Sequence, residues 1–186
     1  MKPGPAGEQS DSKVEKNIGL FHVPVPVDLT IYDDKKISQE RTISLATQWG
    51  MLEKPRHIIF AKAYFDSNKW QNLIIKLSVN LEKLPEKIRP YIVVLKSNAN
   101  KKQLNEFEEK YFKNRNSVLC LMDELTDIEA ALKLSSIYLE LNPKTDYYSL
   151  DILNALAMGN AVVSWQNEVN KELVPSEFQE IGRAHV

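Results

Sequence analysis

Short apolar segments alternate with longer amphipathic segments over residues 55–165. The apolar segments are rich in Ile, Val, Leu and Phe, which favour strands, and they lie at 57–61, 90–95, 117–121, 137–141 and 161–164. The segments between them predict helices at 68–84, 101–112, 125–134 and 149–158. Strict alternation of strands with helices predicts a doubly wound, Rossmann-like α/β fold in which helices cover both faces of a parallel sheet.

Three of the predicted helices carry further positional signals. Helix 68–84 has an apolar face made of Trp70, Leu73, Ile74, Leu77 and Leu81. The N-cap of helix 125–134 is expected at Thr126 or Asp123. The apolar face of helix 149–158 is predicted at Leu150, Leu153, Leu156 and Ala157, and N-cap oxygens for it are available at Thr145, Asp146 and Ser149. Gly159 then stands where a left-handed residue commonly ends a helix.

Residues outside the alternating region form three stretches. Residues 1–17 are polar and rich in Gly, Pro and charge, which predicts a disordered leader or linker. We expect residues 18–54 to be the remnant of an N-terminal domain or an interdomain linker, with a helix at 40–52 whose apolar stripe is Ile43, Leu45, Trp49 and Leu52. Residues 181–186, I-G-R-A-H-V, match one reading frame of a common sequencing adapter, so we exclude this tail from the fold prediction and expect a truncated protein.

The bulk composition is that of an ordinary globular protein. Of the 186 residues, 43% are hydrophobic and 26% are charged, and the net charge is −1, so charge gives no indication of a nucleic-acid partner. Neither an apolar run of about 20 residues nor a signal-peptide core is present, which predicts a cytoplasmic chain without a transmembrane segment. The single cysteine, Cys120, lies in a predicted strand and is interpreted as a small core residue.

The familiar catalytic motifs are missing from the sequence. It contains no G-x-G-x-x-G and no Walker A loop, which argues against a dehydrogenase or a P-loop NTPase. H-E-x-x-H, a Cys/His metal cluster and a G-x-S-x-G nucleophile elbow are also missing, so no bound metal and no catalytic residue is predicted. His22 and His57 are isolated, and we interpret both as surface or packing residues.

The remaining candidates lie at the carboxyl edge of the predicted sheet, where open α/β sheets bind their ligands. Lys62 and Lys69 follow the first strand, and a polar loop with Asn142, Asp146 and Ser149 follows the fourth. Lysines and a helix N-terminus are the groups that a nucleotide diphosphate needs. The alternative interpretation is that these lysines are ordinary solvated loop residues.

Residues 136–165 read S-I-Y-L-E-L-N-P-K-T-D-Y-Y-S-L-D-I-L-N-A-L-A-M-G-N-A-V-V-S-W, which predicts a strand, a loop, a short helix, a glycine and a closing strand. This segment resembles the donor-sugar site of GT-B glycosyltransferases of the family 4 type. The element order of residues 55–165 is similar to that of the family's C-terminal domain. The resemblance implies that residues 55–180 are an incomplete nucleotide-sugar-binding domain, the C-terminal half of a GT-B fold, with a UDP-sugar as substrate and no bound cofactor.

The resemblance also implies which residues contact the donor. Two family glutamates fall on Asp146 and Asn154, and the loop glycine falls on Ser149. The family's basic pair corresponds to Lys62 and Lys69, and Asn142 completes the implied donor site. Neither glutamate is present, and Ala161 stands where the family usually has proline. These departures leave it open whether the site is catalytic.

Three functions therefore stay open at this point. The first is a glycosyltransferase that moves a sugar from a nucleotide-sugar donor to a protein or glycan acceptor. The second is a non-catalytic glycosyltransferase-like subunit that binds a protein partner, since I-Y-L-E-L-N and D-L-T-I-Y-D-D are similar to segments of proteins of the bacterial accessory secretion system, which glycosylates and exports adhesins. The third is another Rossmann-like module, such as a regulatory domain or an epimerase.

Overall fold

A computed structural model of the chain describes residues 26–51, 57–64, 69–97, 102, 105–109, 118–122, 127–141 and 149–165. Within these ranges lies a five-stranded sheet in the order β3-β2-β1-β4-β5. Its strands are β1 (Ile58–Tyr64), β2 (Tyr91–Ser97), β3 (Leu119–Met122), β4 (Ile137–Glu140) and β5 (Ala161–Val163). All four strand pairings are parallel, which confirms the predicted sheet.

Four helices with defined bounds accompany the sheet. They are α1 (Gln39–Gln48), α2 (Lys69–Glu82), α3 (Ile128–Leu134) and α4 (Leu150–Ala157). Residues 105–109 are also helical, and short 3-10 turns occupy Asp34–Lys36 and Glu86–Ile88. The order of strands and helices in residues 57–165 is the one that the hydrophobic pattern predicts.

Two predicted helix ends were wrong for local reasons. Asp127 is the N-cap of α3, not Thr126 or Asp123, because its backbone is non-helical and its side chain accepts a hydrogen bond from the N–H of Ala130 at 2.9 Å. Helix α1 ends at Gln48, before the predicted end at 52. Gly50 follows with a φ of 65°, a left-handed conformation that stops a helix.

Apolar side chains fill both faces of the sheet, as a doubly wound fold requires. On one face, Phe60 of β1 and Tyr138 of β4 pack with residues of α1, α3 and α4. On the other face, Ala61 and Leu139 pack with α2 and with Phe107 of the helical residues 105–109. Successive strand residues point to opposite faces, so each strand contributes to both clusters. The first face carries the site described below.

The N-terminal part of the described chain belongs to the first of these clusters. Ile37, Leu45, Trp49 and Met51 are buried in it. Trp49 stacks near Phe60 of β1, with ring centroids 6.4 Å apart. Lys133 of α3 donates hydrogen bonds to the carbonyl oxygens of Asp34 and Ile37. Residues 32–51 are therefore packed onto the helices of that face.

The predicted apolar face of α4 was wrong. Leu150 and Leu156 are exposed, at 44% and 37% of their accessible surface, whereas Ile152, Ala155 and Met158 are buried. The helix is apolar on most of its circumference, so the spacing alone fits two faces. The predicted end of this helix is confirmed, because Gly159 has a φ of 79°.

Candidate functional site

The strand order reverses direction between β1 and β4. The chain runs from β1 outward to β2 and β3, and then crosses to β4 and β5 on the other side. In open α/β sheets such a reversal opens a crevice beyond the carboxyl ends of the two strands, and ligands bind there. Lys62 of β1 and Glu140 of β4 are register partners at this point, near the carboxyl ends of their strands.

Lys62 lies inside β1, which corrects the prediction that it follows the first strand. The strand continues to Tyr64, because the alternating residues Ala61 and Ala63 are completely buried on the other face. The ammonium of Lys62 lies 3.1 Å from Oδ2 and 3.3 Å from Oδ1 of Asp151, in the first turn of α4. Both side chains are only about a quarter exposed, at 26% and 24%, so the ion pair is partly shielded from water.

Glu140 lies in this candidate site, and the sequence analysis did not single it out. It is buried, with 3% of its surface exposed, and its Oε2 accepts a hydrogen bond from the hydroxyl of Ser149 at 2.8 Å. The period-2 pattern could have indicated it, because Glu140 shares the core-facing side of β4 with Tyr138. A carboxylate buried in this way requires hydrogen-bond donors, and Ser149 supplies one.

Ser149 is also the N-cap of α4, and it is one of the three N-cap positions predicted from the sequence. Its hydroxyl oxygen accepts from the N–H of Ile152 at 3.4 Å while the hydroxyl donates to Glu140. The same side chain thus connects the start of the helix to the end of β4. Through Glu140 and its register partner Lys62, the structure brings Ser149 and Lys62 to the same crevice.

Asn154 lies in the middle of α4 and is 4% exposed. Its Oδ1 has no hydrogen-bond partner within the described part of the chain. A buried acceptor left without a donor costs about 1–3 kcal/mol, so its presence requires an explanation.

Tyr32 lies within the electrostatic influence of this crevice. Burial first, and then the negative charges of Glu129 and Asp151, raise the pKa of its phenol, while the charge of Lys62 opposes them. Tyr32 also packs against the first of the two core clusters, on the face of the sheet that carries Lys62. Among the described residues of the crevice, one ammonium stands with the two carboxyl groups of Glu140 and Asp151, so the local charge does not favour an anion without rearrangement.

Three predicted donor residues are not placed with this cluster. Lys69 begins α2, but its side chain is not described. Asn142 and Asp146 lie outside the described residues. Asp151 was not predicted as a site residue, because acidic residues are common in the first turn of any helix and the sequence does not reveal a partner in a distant strand.

Two residues that the sequence analysis excluded from chemistry have ordinary surroundings. Cys120 lies half-buried in β3, and burial raises the pKa of its thiol, which opposes a reactive thiolate. His57 is exposed, and its Nδ1 lies 3.2 Å from the hydroxyl of Ser136. Over the ranges described, no group of three or more His, Cys, Asp or Glu side chains could hold a metal ion. Those ranges also hold no helix long and apolar enough to cross a membrane.

Several solved structures with a similar fold are described as glycosyltransferases. A glycosyltransferase from Rickettsia africae superposes with a TM-score of 0.62 at 13% identity, over 74% of this chain and 36% of that one. HepE from Anabaena, solved with UDP and glucose, gives 0.61 at 13% identity, over 80% and 39%. The C-terminal domain of the group 1 glycosyl transferase LpcC from Francisella tularensis gives 0.54 at 18% identity, over 75% and 70%.

These similarities show the fold, which is the Rossmann-like α/β architecture of GT-B C-terminal domains. The match spans well under half the length of the first two structures. No family model matches the sequence, and no curated protein does.

Proposed function

We propose that this chain is the nucleotide-sugar-binding domain of a GT-B glycosyltransferase. The observation that supports the proposal most directly is the position of the Lys62, Glu140, Ser149 and Asp151 cluster, at the reversal of strand order in this fold. HepE, which shares the fold, is described with UDP and glucose. A UDP-sugar is therefore the first donor to test, and its use fits the expected cytoplasmic location.

The chemistry of the cluster suits a ligand that combines hydroxyls with phosphates. The carboxylate of Glu140 is an acceptor for sugar or ribose hydroxyls, and Asn154 remains a proposed donor contact. Lys62 is the cation for the diphosphate, where it would stabilise charge on the leaving group. Lys69, Asn142 and Asp146 remain proposed donor contacts, and the acceptor is proposed to be a protein or a glycan.

A second candidate function is a non-catalytic subunit of the accessory secretion type, which binds a protein partner. The Lys62–Asp151 pair favours it, because the cation that would meet a phosphate is already neutralised. The absence of glutamate at positions 146 and 154 points the same way. Under this hypothesis the fold is kept and donor binding is lost.

Calorimetric titration of the full chain with UDP, UDP-glucose and UDP-N-acetylglucosamine tests the proposal. We expect saturable binding that weakens by about tenfold in Lys62→Met, because one phosphate contact is lost. Lys76→Met is the matched control, since Lys76 is an exposed lysine of α2 on the other face of the sheet. If none of these ligands binds the wild-type chain, the non-catalytic alternative is favoured over the donor site.

A further inference from the structure

The ion pair between Lys62 and Asp151 joins the strand that supplies the cation to the helix that would receive the phosphates. Lys62 stands in β1, and Asp151 stands in the first turn of α4. The two side chains meet at 3.1 Å in the crevice between β1 and β4. Their contact spans the place where, under the proposed function, the donor diphosphate lies.

We propose that the Asp151 carboxylate takes the phosphate position at Lys62 when no donor is bound and that a donor binds by displacing it. The proposal rests on the proposed donor-binding function. In this proposal the carboxylate of Asp151 competes with the phosphate of the ligand for the ammonium of Lys62. A ligand without a phosphate would not meet this competition.

The surroundings of the pair explain why Asp151 is the group that yields. Glu140 is the other carboxylate of the crevice, but it is buried and held by Ser149. Asp151 retains 24% of its side-chain surface, so its carboxylate can turn toward water once a phosphate takes its place. Because Asp151 lies in the first turn of α4, the helix dipole stabilises its carboxylate at this position when no donor is bound.

The ion pair between Lys62 and Asp151 also stabilises the protein when no donor is bound. A partly buried ammonium without a counter-ion costs stability, and Asp151 supplies that counter-ion. The ion pair stabilises the ligand-free protein, but the site binds anions more weakly than it would without the Asp151 carboxylate. The net contribution of Lys62 to the free energy of donor binding is then the difference between its contact with the phosphate and the ion pair that this contact replaces.

Calorimetry with UDP and uridine on the full chain separates this competition from a structural role. In Asp151→Asn we expect UDP to bind about two- to fivefold more tightly, the range of a partly exposed ion pair, and uridine to bind as before. In a Lys62→Met background the gain for UDP should shrink, since only the repulsion between carboxylate and phosphate remains to be removed. Asp151→Glu, which keeps the charge, should retain the wild-type affinity.

The outcomes distinguish this inference from the proposed function. If the wild type binds UDP and Asp151→Asn binds it equally or more weakly, the competition is refuted while the donor site stands. If UDP and uridine bind neither the wild type nor Asp151→Asn, both proposals fall. Should Asp151→Asn not fold, Asp151→Ser takes its place, with thermal unfolding as the check that each variant is folded.

Discussion

The guanidinium of Arg41 binds the carboxylate of Asp127 with two hydrogen bonds, from Nε to Oδ2 at 2.8 Å and from Nη2 to Oδ1 at 2.6 Å. Arg41 belongs to α1, and Asp127 is the N-cap of α3. Nη2 of Arg41 also donates to Oε2 of Glu129 at 2.9 Å. One arginine thus connects the N-terminal helix to the first turn of a helix that packs on the sheet.

Replacing Asp127 separates its two roles. Asp127→Asn keeps an N-cap acceptor and loses the ion pair, so we expect it to lower the free energy of unfolding by about 1 kcal/mol. Asp127→Ala loses the cap as well and should cost about 2 kcal/mol. Urea denaturation of both variants measures the difference. Equal losses would show that the cap contributes nothing.

The same contact predicts a dependence of stability on acid. The hydrogen bond from Arg41 is the main cause that holds the pKa of Asp127 below its ordinary value of 3.8, assisted by the N–H of Ala130. A carboxyl group with a lowered pKa stabilises the fold above its unfolded-state pKa, and this stability is lost as the pH falls through the folded-state value. The gap between the wild type and Asp127→Asn should therefore be full at pH 6 and should narrow below about pH 4. Urea titrations at several pH values measure it, and a gap that widens in acid would contradict the assignment.

Helix α4 offers a matched pair of substitutions on its two apolar sides. Ile152 is 1% exposed and Leu156 is 37% exposed. We expect Ile152→Ala to lower the free energy of unfolding by about 2–4 kcal/mol, because it leaves a cavity in the core. Leu156→Ala should cost under about 1 kcal/mol, because its side chain is already partly in water. Chemical denaturation measures both losses. A larger loss in Leu156→Ala than in Ile152→Ala would mean that the helix buries the face predicted from the sequence spacing.

Gly159 tests the cost of the left-handed turn between α4 and β5. Its φ is 79°, and a Cβ added at this position would have no heavy atom within 4 Å, so a substitution meets strain in the backbone without a steric clash. Gly159→Ala should therefore lower stability by about 1–2 kcal/mol, and Gly159→Asn by less, because asparagine tolerates this conformation. Thermal unfolding of the two variants checks this order. An alanine variant as stable as the wild type would mean that the turn has relaxed to another conformation.

The fold could be predicted from the sequence because it follows from local patterns. Each strand of 57–163 is an apolar segment, and alternation with helices leaves a parallel sheet as the outcome. The candidate site was harder to predict from the sequence than the fold. Lys62 was predicted as a donor-site residue in a loop, whereas the structure places it inside β1, and Glu140 and Asp151 were not among the predicted residues. Their importance depends on strand register and on contacts between β1 and α4, which no local pattern encodes.

The face of α4 shows the same limit in another form. Apolar residues surround most of this helix, so the choice between Ile152 and Leu156 as the buried side chain is made by the sheet beneath it. Helix α2 has a single apolar stripe, and there the prediction matched the buried positions of Trp70 and Ile74. Periodicity is decisive only where the opposite face is polar.

The strand order also determines when the site can exist during synthesis. Strands β1, β2 and β3 leave the ribosome first and can pair in sequence, but β1 then presents an open edge until β4 has been made. An open, apolar parallel strand is slow to pair and prone to wrong association. The crevice with Lys62 is therefore completed late. Until β4 pairs with β1, the unpaired edge of β1, which becomes the central strand of the finished sheet, is open to wrong association.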